Sequence, residues 1–285
     1  MLGGDRTVES SFFVHCNQAI SSLPLTNIND VGIDMGIITP TNKAVLEHKG
    51  LHLYHAGISN CSMRVRMTLE EKKLAWTSHH FDLTKKEHIT PEYFGINPNG
   101  VVPTLVHDGV VIIESDDIID YLDKTFPETP LHPKSAEDKE HMYWWMKSAV
   151  NIHVSAVKTY IYFHRMQGKM KQSEELKQRY EALQKNQQLV AFHEMSSRGF
   201  STEEAAMAKE VLDSFFQQAD DILQHRDWLV GNQFTLADIT WVPLHFTLVG
   251  SNYDFSRFPA VQAWAEKLQQ RESFKKGVLQ WCPVF

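Results

Sequence analysis

Residues 51–66 read Leu51-His52-Leu53-Tyr54-His55-Ala56-Gly57-Ile58-Ser59-Asn60-Cys61-Ser62-Met63-Arg64-Val65-Arg66, and this stretch decides the fold. Leu51 to His55 alternates as a half-buried strand does, with successive side chains on opposite faces. Ala56-Gly57-Ile58 ends the strand, and the Ser59-Asn60 pair supplies a helix cap. Val65, Leu69 and Leu74 mark the apolar stripe of the helix that follows. A helix start so close to a strand end leaves free backbone N–H groups and the positive end of the helix dipole at the join, where an anion is favoured.

Outward from this unit, Trp76 to Leu83 reads as a second strand, and Asn97-Pro98-Asn99-Gly100 is a turn leading into Val101–Val106. His107-Asp108-Gly109 carries the Asp-Gly chemistry of a tight hairpin, with Val110–Ile113 as its second strand. Ile118, Ile119 and Leu122 give a helical stripe that ends before Pro127. Strand, helix, strand, irregular region, hairpin and helix in that order make a small α/β domain over residues 50–128. Pro127, Pro130 and Pro133 interrupt any regular element and mark an interdomain linker. Beyond it, stretches such as 137–167 and 203–224 read as helix, so a second, all-α domain is expected over 134–285. Residues 1–49 hold neither period and are expected to be an N-terminal extension. Lys169–Gln188, rich in Lys, Gln and Glu, is expected to be a solvated helical protrusion.

The formal net charge of −7 gives no general attraction to phosphate backbones or anionic lipid, so neither nucleic acid nor membrane is an expected partner. Cys16, Cys61 and Cys282 have no paired spacing; they suggest neither a disulfide framework nor a zinc site, and no metal is expected. No run approaches the ~18–20 apolar residues of a membrane span. A cytoplasmic location is expected.

Leu53-Tyr54, Ser59-Asn60-Cys61-Ser62, Arg64-Val65-Arg66, Asn97-Pro98, Val102-Pro103 and Glu114-Ser115, taken in order, resemble the N-terminal domain of cytosolic glutathione S-transferases, and Asp227–Gly231 with Phe234–Asp238 resembles their helical domain. The resemblance covers about residues 50–275. It implies a thioredoxin-like α/β domain followed by an all-α domain, glutathione as co-substrate, a small aromatic electrophile as second substrate, and a homodimer.

The resemblance also assigns site residues. Ser59 aligns with the active serine of phi- and zeta-type members, where a hydroxyl donates to the glutathione thiolate; Cys61 aligns with the active cysteine of the beta class; and Asn60 stands where zeta members have a second serine. Lowering a thiol pKa from ~8.5 by two units needs roughly 2.7 kcal/mol. One charge-assisted hydrogen bond of ~1.5–3 kcal/mol with a dipole contribution of ~0.3–1 kcal/mol supplies it. Ser59 is the favoured activator, with Cys61 the alternative; Cys61 is otherwise a small residue packed on the sheet.

The Val102–Pro103 bond is expected to be cis, with the Val102 backbone pairing to glutathione as an added strand. Ser115, at a helix start, is expected to accept the γ-glutamyl carboxylate and Glu114 to face its amino group. His88 matches a histidine used on the glycine carboxylate. Phe234, Thr235, Asp238 and Ile239 form a capping box with a hydrophobic staple, a folding device. Trp144, Trp145, Tyr160, Tyr162 and Phe163 are candidates to line the second-substrate pocket, with Trp281 and Phe285 to close it. Conjugation or thiolytic cleavage of an aromatic substrate, aryl ethers included, is the favoured reaction. A zeta-like isomerase and a non-catalytic binding module are the alternatives.

Overall fold

The computed structural model describes residues 36–166 and 173–282. Five strands, β1 (Ile37–Ile38), β2 (Leu51–His55), β3 (Trp76–His80), β4 (Thr104–His107) and β5 (Val110–Ile112), form one sheet in the order β1-β5-β4-β2-β3. The β2–β3 pair is parallel, so helix α1 (Asn60–Glu71) serves as its crossover, and every other pair is antiparallel. Asp108 and Gly109, both at positive φ, make the β4–β5 turn. The period of two sorts the side chains. Leu51, Leu53, Leu105 and Ile112 face α1 and α3 (Ser115–Thr125), while Tyr54, Val106 and Val111 face Val45, Tyr93 and Ile96 on the other side.

Two expectations are corrected here. The last part of the presumed extension over residues 1–49 joins the sheet: Ile37 and Ile38 pair with Ile112 and Val111, and a 3-10 turn (Lys43–Glu47) buries Val45. A two-residue strand is too short to show a period. The strand expected to reach Leu83 stops at His80, because Asp82 turns the chain by accepting from the N–H and hydroxyl of Thr84. The rest of the extension, with Cys16, lies outside the described residues.

Helix α2 (Pro91–Phe94) precedes β4. After the proline-rich linker, α4 (Ala136–Ile152) continues through wider π-helical turns to Met166, followed by α5 (Glu174–Leu183), α6 (Gln187–Arg198), α7 (Thr202–Leu223), α8 (Leu236–Val249) and α9 (Pro259–Gln269). Among the described residues beyond the linker there is no strand. Trp145, Phe215, Phe216 and Trp241 centre the helical core, which runs without a break into the core beneath the sheet. The capping box at α8 is present: Asp238 accepts from the N–H of Thr235, and also from the N–H of Leu229 and the indole of Trp264. Phe234 lies against Trp228 and under the Arg271 guanidinium.

The 169–188 protrusion is corrected in part. Helix α5 has no buried residue, as a solvated helix should not. Gln184 at its end, however, is 3% exposed and donates from Nε2 to the carbonyl of Asn99 in the first domain at 2.8 Å. Residues 167–172 lie outside the described residues.

Candidate active site

Ser59 caps α1 with extended backbone, and its Oγ accepts from the N–H of Ser62 at 3.2 Å. One lone pair is thereby engaged while the hydroxyl proton remains able to donate outward. Among the described residues no hydrogen bond is made by the N–H groups of Asn60 and Cys61, so the first turn presents donors as well as dipole to the same space. Asn60 is buried, and its side-chain oxygen has no partner among the described residues.

Cys61 faces the second domain. It is half-buried, and its Sγ lies 3.7 Å from Nε2 of His153 on the first π-helical turn after α4. Burial, then the charges of Lys158 and Arg64, pushes His153 well below the usual histidine range, so its ring is neutral. Lys158 is also held below its ordinary value by burial, opposed by the field of Cys61. His153 and Lys158 were absent from the sequence-derived site. Both come from a helix some 90 residues downstream, and no local motif marks them.

The Val102–Pro103 bond is cis. The turn is fixed from beneath: the Tyr93 hydroxyl donates to the carbonyl of Val101 at 2.7 Å, and Asn97 Nδ2 donates to the same carbonyl at 2.9 Å and to Thr104 Oγ1 at 3.0 Å. Glu114 has φ of 63°, a conformation rare for a side-chain-bearing residue. It is open to solvent yet walled by protein, and its carboxyl is raised to about 7 by desolvation, then by Asp116, Cys61 and Asp117, with Lys147 opposing. Asn99 Nδ2 approaches Glu114 Oε1 at 3.4 Å.

Ser115 opens α3, and its hydroxyl accepts from Arg64 Nη1 at 3.1 Å. Arg64 is fully buried; it donates from Nε to the Thr240 carbonyl at 3.1 Å, and its Nη2 has no partner among the described residues. This guanidinium, which among the described residues donates to the Thr240 carbonyl and the Ser115 hydroxyl, brings positive charge to the start of α3, where a carboxylate would compensate it. The sequence shows Arg64 as part of a motif but not this function, which depends on a contact 51 residues away.

His88 is half-buried, with Nδ1 unpartnered among the described residues, and is lowered to about 4 by burial, then by Lys86 and Lys158. Lys158 thus lies near both His88 and Cys61, and Cys61 near Glu114. Of the candidate aromatic residues, Trp145 is core and Trp144 packs on Phe215; Tyr160 packs on Tyr253. Tyr162 meets Phe192 of α6 and Phe200 beyond it. Trp281 is corrected: it packs on His55, Trp76 and His80 at the outer edge of the sheet, under Arg66. Phe285 lies outside the described residues.

Two family models match this arrangement, the glutathione S-transferase N-terminal domain over residues 53–130 and the glutathione S-transferase C-terminal domain over residues 150–272. The chain belongs to the glutathione S-transferase family. Glutathione S-transferase 1 of Dianthus caryophyllus is 27% identical over 84% of this chain and 96% of its own. A zeta-class glutathione S-transferase of Euphorbia esula is 27% identical over 80% and 89%. Among solved structures, the beta-etherase LigF from Sphingobium sp. strain SYK-6 superposes with a TM-score of 0.73 at 25% identity, over 80% of this chain and 98% of that one. Glutathione is the co-substrate of this family, and the two domains of the transferase meet at Cys61 and His153. No described helix is long and apolar enough to cross a membrane.

Proposed function

We propose that this chain is a glutathione transferase in which Ser59 holds the glutathione thiolate and delivers it to an aromatic electrophile, with cleavage of an aryl ether as the favoured reaction. The observation that carries the reading is the start of α1, where the Ser59 oxygen is engaged by Ser62 and its proton, with the N–H groups of Asn60 and Cys61, is left to an incoming sulfur anion. The γ-glutamyl end is assigned to Glu114 and Ser115, the latter backed by Arg64; the cysteinyl backbone to Val102, ahead of Pro103; and the glycine carboxylate to His88. The likeness to LigF, named a beta-etherase, supports the ether substrate. In this reaction the thiolate attacks the carbon bearing the aryloxy group, a C–S bond forms as the C–O bond breaks, and the phenolate leaves with the electron pair and is protonated.

A second reading, a zeta-like isomerase, is supported by the zeta-class relative and by a probable maleylacetoacetate isomerase of Vibrio cholerae that is 25% identical over 80% of this chain. Asn60 in place of the second zeta serine weighs against it. The purified chain is to be assayed with glutathione against a chlorodinitrobenzene, a β-aryl ether releasing a chromogenic phenol, and maleylacetoacetate. Phenol release dependent on glutathione and lost in Ser59→Ala is expected. Turnover of maleylacetoacetate alone would establish the isomerase. Glutathione binding with no turnover of any of the three would make the chain a binding module.

A further inference from the structure

We propose that His48, His52 and His79 form a binding site for one divalent transition-metal ion of the zinc and copper type, on the face of the sheet opposite α1. One ring nitrogen of each histidine lies within 4.8 Å of the other two. The three come from separate elements. His48 closes the 3-10 turn, with its N–H on the Val45 carbonyl; His52 lies on β2; and His79 lies on β3 opposite Tyr54. His48 and His52 stand in an H-x3-H spacing, but the third histidine is 27 residues further on, and only the pairing of β2 with β3 brings it to them.

The donor set defines the ion. Three imidazoles without thiolate or carboxylate suit zinc, copper or nickel and offer nothing to magnesium or calcium. Zinc–nitrogen bonds of about 2.0–2.1 Å place tetrahedral ligands about 3.3 Å apart, so the described nitrogens need to close by no more than about 1.5 Å, within reach of side-chain rotation. His52 Nδ1 and His79 Nε2 are already 2.9 Å apart.

The surroundings of the cluster orient it. His52 Nε2 lies 3.0 Å from the Lys49 carbonyl, which can only accept, so the His52 proton is on Nε2 and the Nδ1 lone pair points toward His79. The His48 ring is held through Nε2 by the Tyr54 hydroxyl at 3.0 Å. Without metal, His79 Nε2 donates to His52 Nδ1; an ion takes both lone pairs once His79 carries its proton on Nδ1. The rings, stacked at 4.1 Å between His48 and His52, must tilt for their lone pairs to converge. All three are half-buried, leaving a position for water on the open side. The cluster shares no residue with the proposed glutathione site, and a bound ion would tie the turn that enters the sheet to β2 and its edge strand β3.

The test uses the full chain without a histidine tag, stripped with chelator and titrated with zinc(II) by calorimetry. One ion per chain at micromolar affinity or tighter is expected, with at least tenfold weakening in each of His48→Asn, His52→Asn and His79→Asn. Zinc should raise the melting temperature of the parent and not of the variants, whose metal-free circular dichroism and melting serve as the folding control. X-ray absorption should report three imidazole nitrogens at about 2.0–2.1 Å. No binding of zinc(II) or copper(II) at 100 µM, or equal affinity in the parent and a variant carrying all three substitutions, would overturn the proposal and leave the cluster as a ring stack only.

Discussion

Ser59 and Cys61 stand two residues apart at one helix start, yet their surroundings equip them for different chemistry. The serine oxygen is anchored by Ser62 with its proton free, whereas the cysteine faces a neutral imidazole. The Ser59 hydroxyl is free to donate directly to a bound sulfur, whereas the Cys61 sulfur is turned to His153 of the second domain, which favours serine as the activator of glutathione sulfur. Ser59→Ala is therefore expected to slow turnover at neutral pH ten- to a thousandfold, on a scale of ~1.5–4 kcal/mol, with glutathione affinity retained and the bound thiol's absorbance titrating at higher pH. Cys61→Ala should be mild; the reverse pair of results would move catalysis to the cysteine. Glu114 gives a second residue-scale prediction. Its carboxyl is raised from 4.5 to about 7, so between those values the folded chain keeps a proton that the unfolded chain has lost, and stability falls as pH rises through that window. Glu114→Gln removes this dependence. Its melting temperature should gain on the parent from pH 4.5 to 7.5, and a constant difference would show that the carboxyl titrates normally.

At the scale of elements, α8 and the α5–α6 connection show how one side chain fixes a segment. Asp238 is buried and binds the α8 cap, the chain at Leu229 and α9 through Trp264. Removing the carboxylate orphans those donors, and Asp238→Ala is expected to cost about 3–5 kcal/mol in urea unfolding, with Asp238→Asn less severe. Loss of under 1 kcal/mol would mean that solvent replaces these contacts. Gln184 acts on the site instead. Its amide holds the Asn99 carbonyl, and Asn99 reaches Glu114, so Gln184→Ala should raise the KM for glutathione severalfold with little change in kcat. An unchanged KM would make the α5–α6 segment a passenger on the first domain.

At the scale of the molecule, buried groups lock the two domains together. Arg64 reaches from α1 to the Thr240 carbonyl of α8, and Arg66 from α1 to the Gly277 carbonyl near the C-terminal end while also holding the carbonyls of Ala56 and Gly57, just before Ser59. The loop that carries Ser59 is thus braced by the second domain. Family resemblance gives the remaining expectation at this scale, a homodimer, in which the small domain of one subunit meets the helical domain of the other. Sedimentation of the full chain at micromolar concentration should report twice the chain mass. A monomer would show that the N-terminal residues or the α5–α6 segment block the interface.

The sequence by itself determined the α/β unit, the hairpin and the helical second domain, because these depend on local rules: period, cap and turn chemistry act within a few residues; the roles proposed for Ser59, Val102-Pro103 and Glu114-Ser115 rest on family resemblance. Its alternation even sorts Leu51 and Leu53 from Tyr54 onto opposite faces of the sheet. Only the tertiary structure decided that Ile37 and Ile38 add a strand, that His153 stands beside Cys61, that buried Arg64 donates to Ser115, that Gln184 docks on Asn99, and that three histidines converge. The physical reason is common to all five. Each contact joins residues far apart in the chain, and its geometry exists only once the sheet register and the packing of α1 against the helical domain have brought them together.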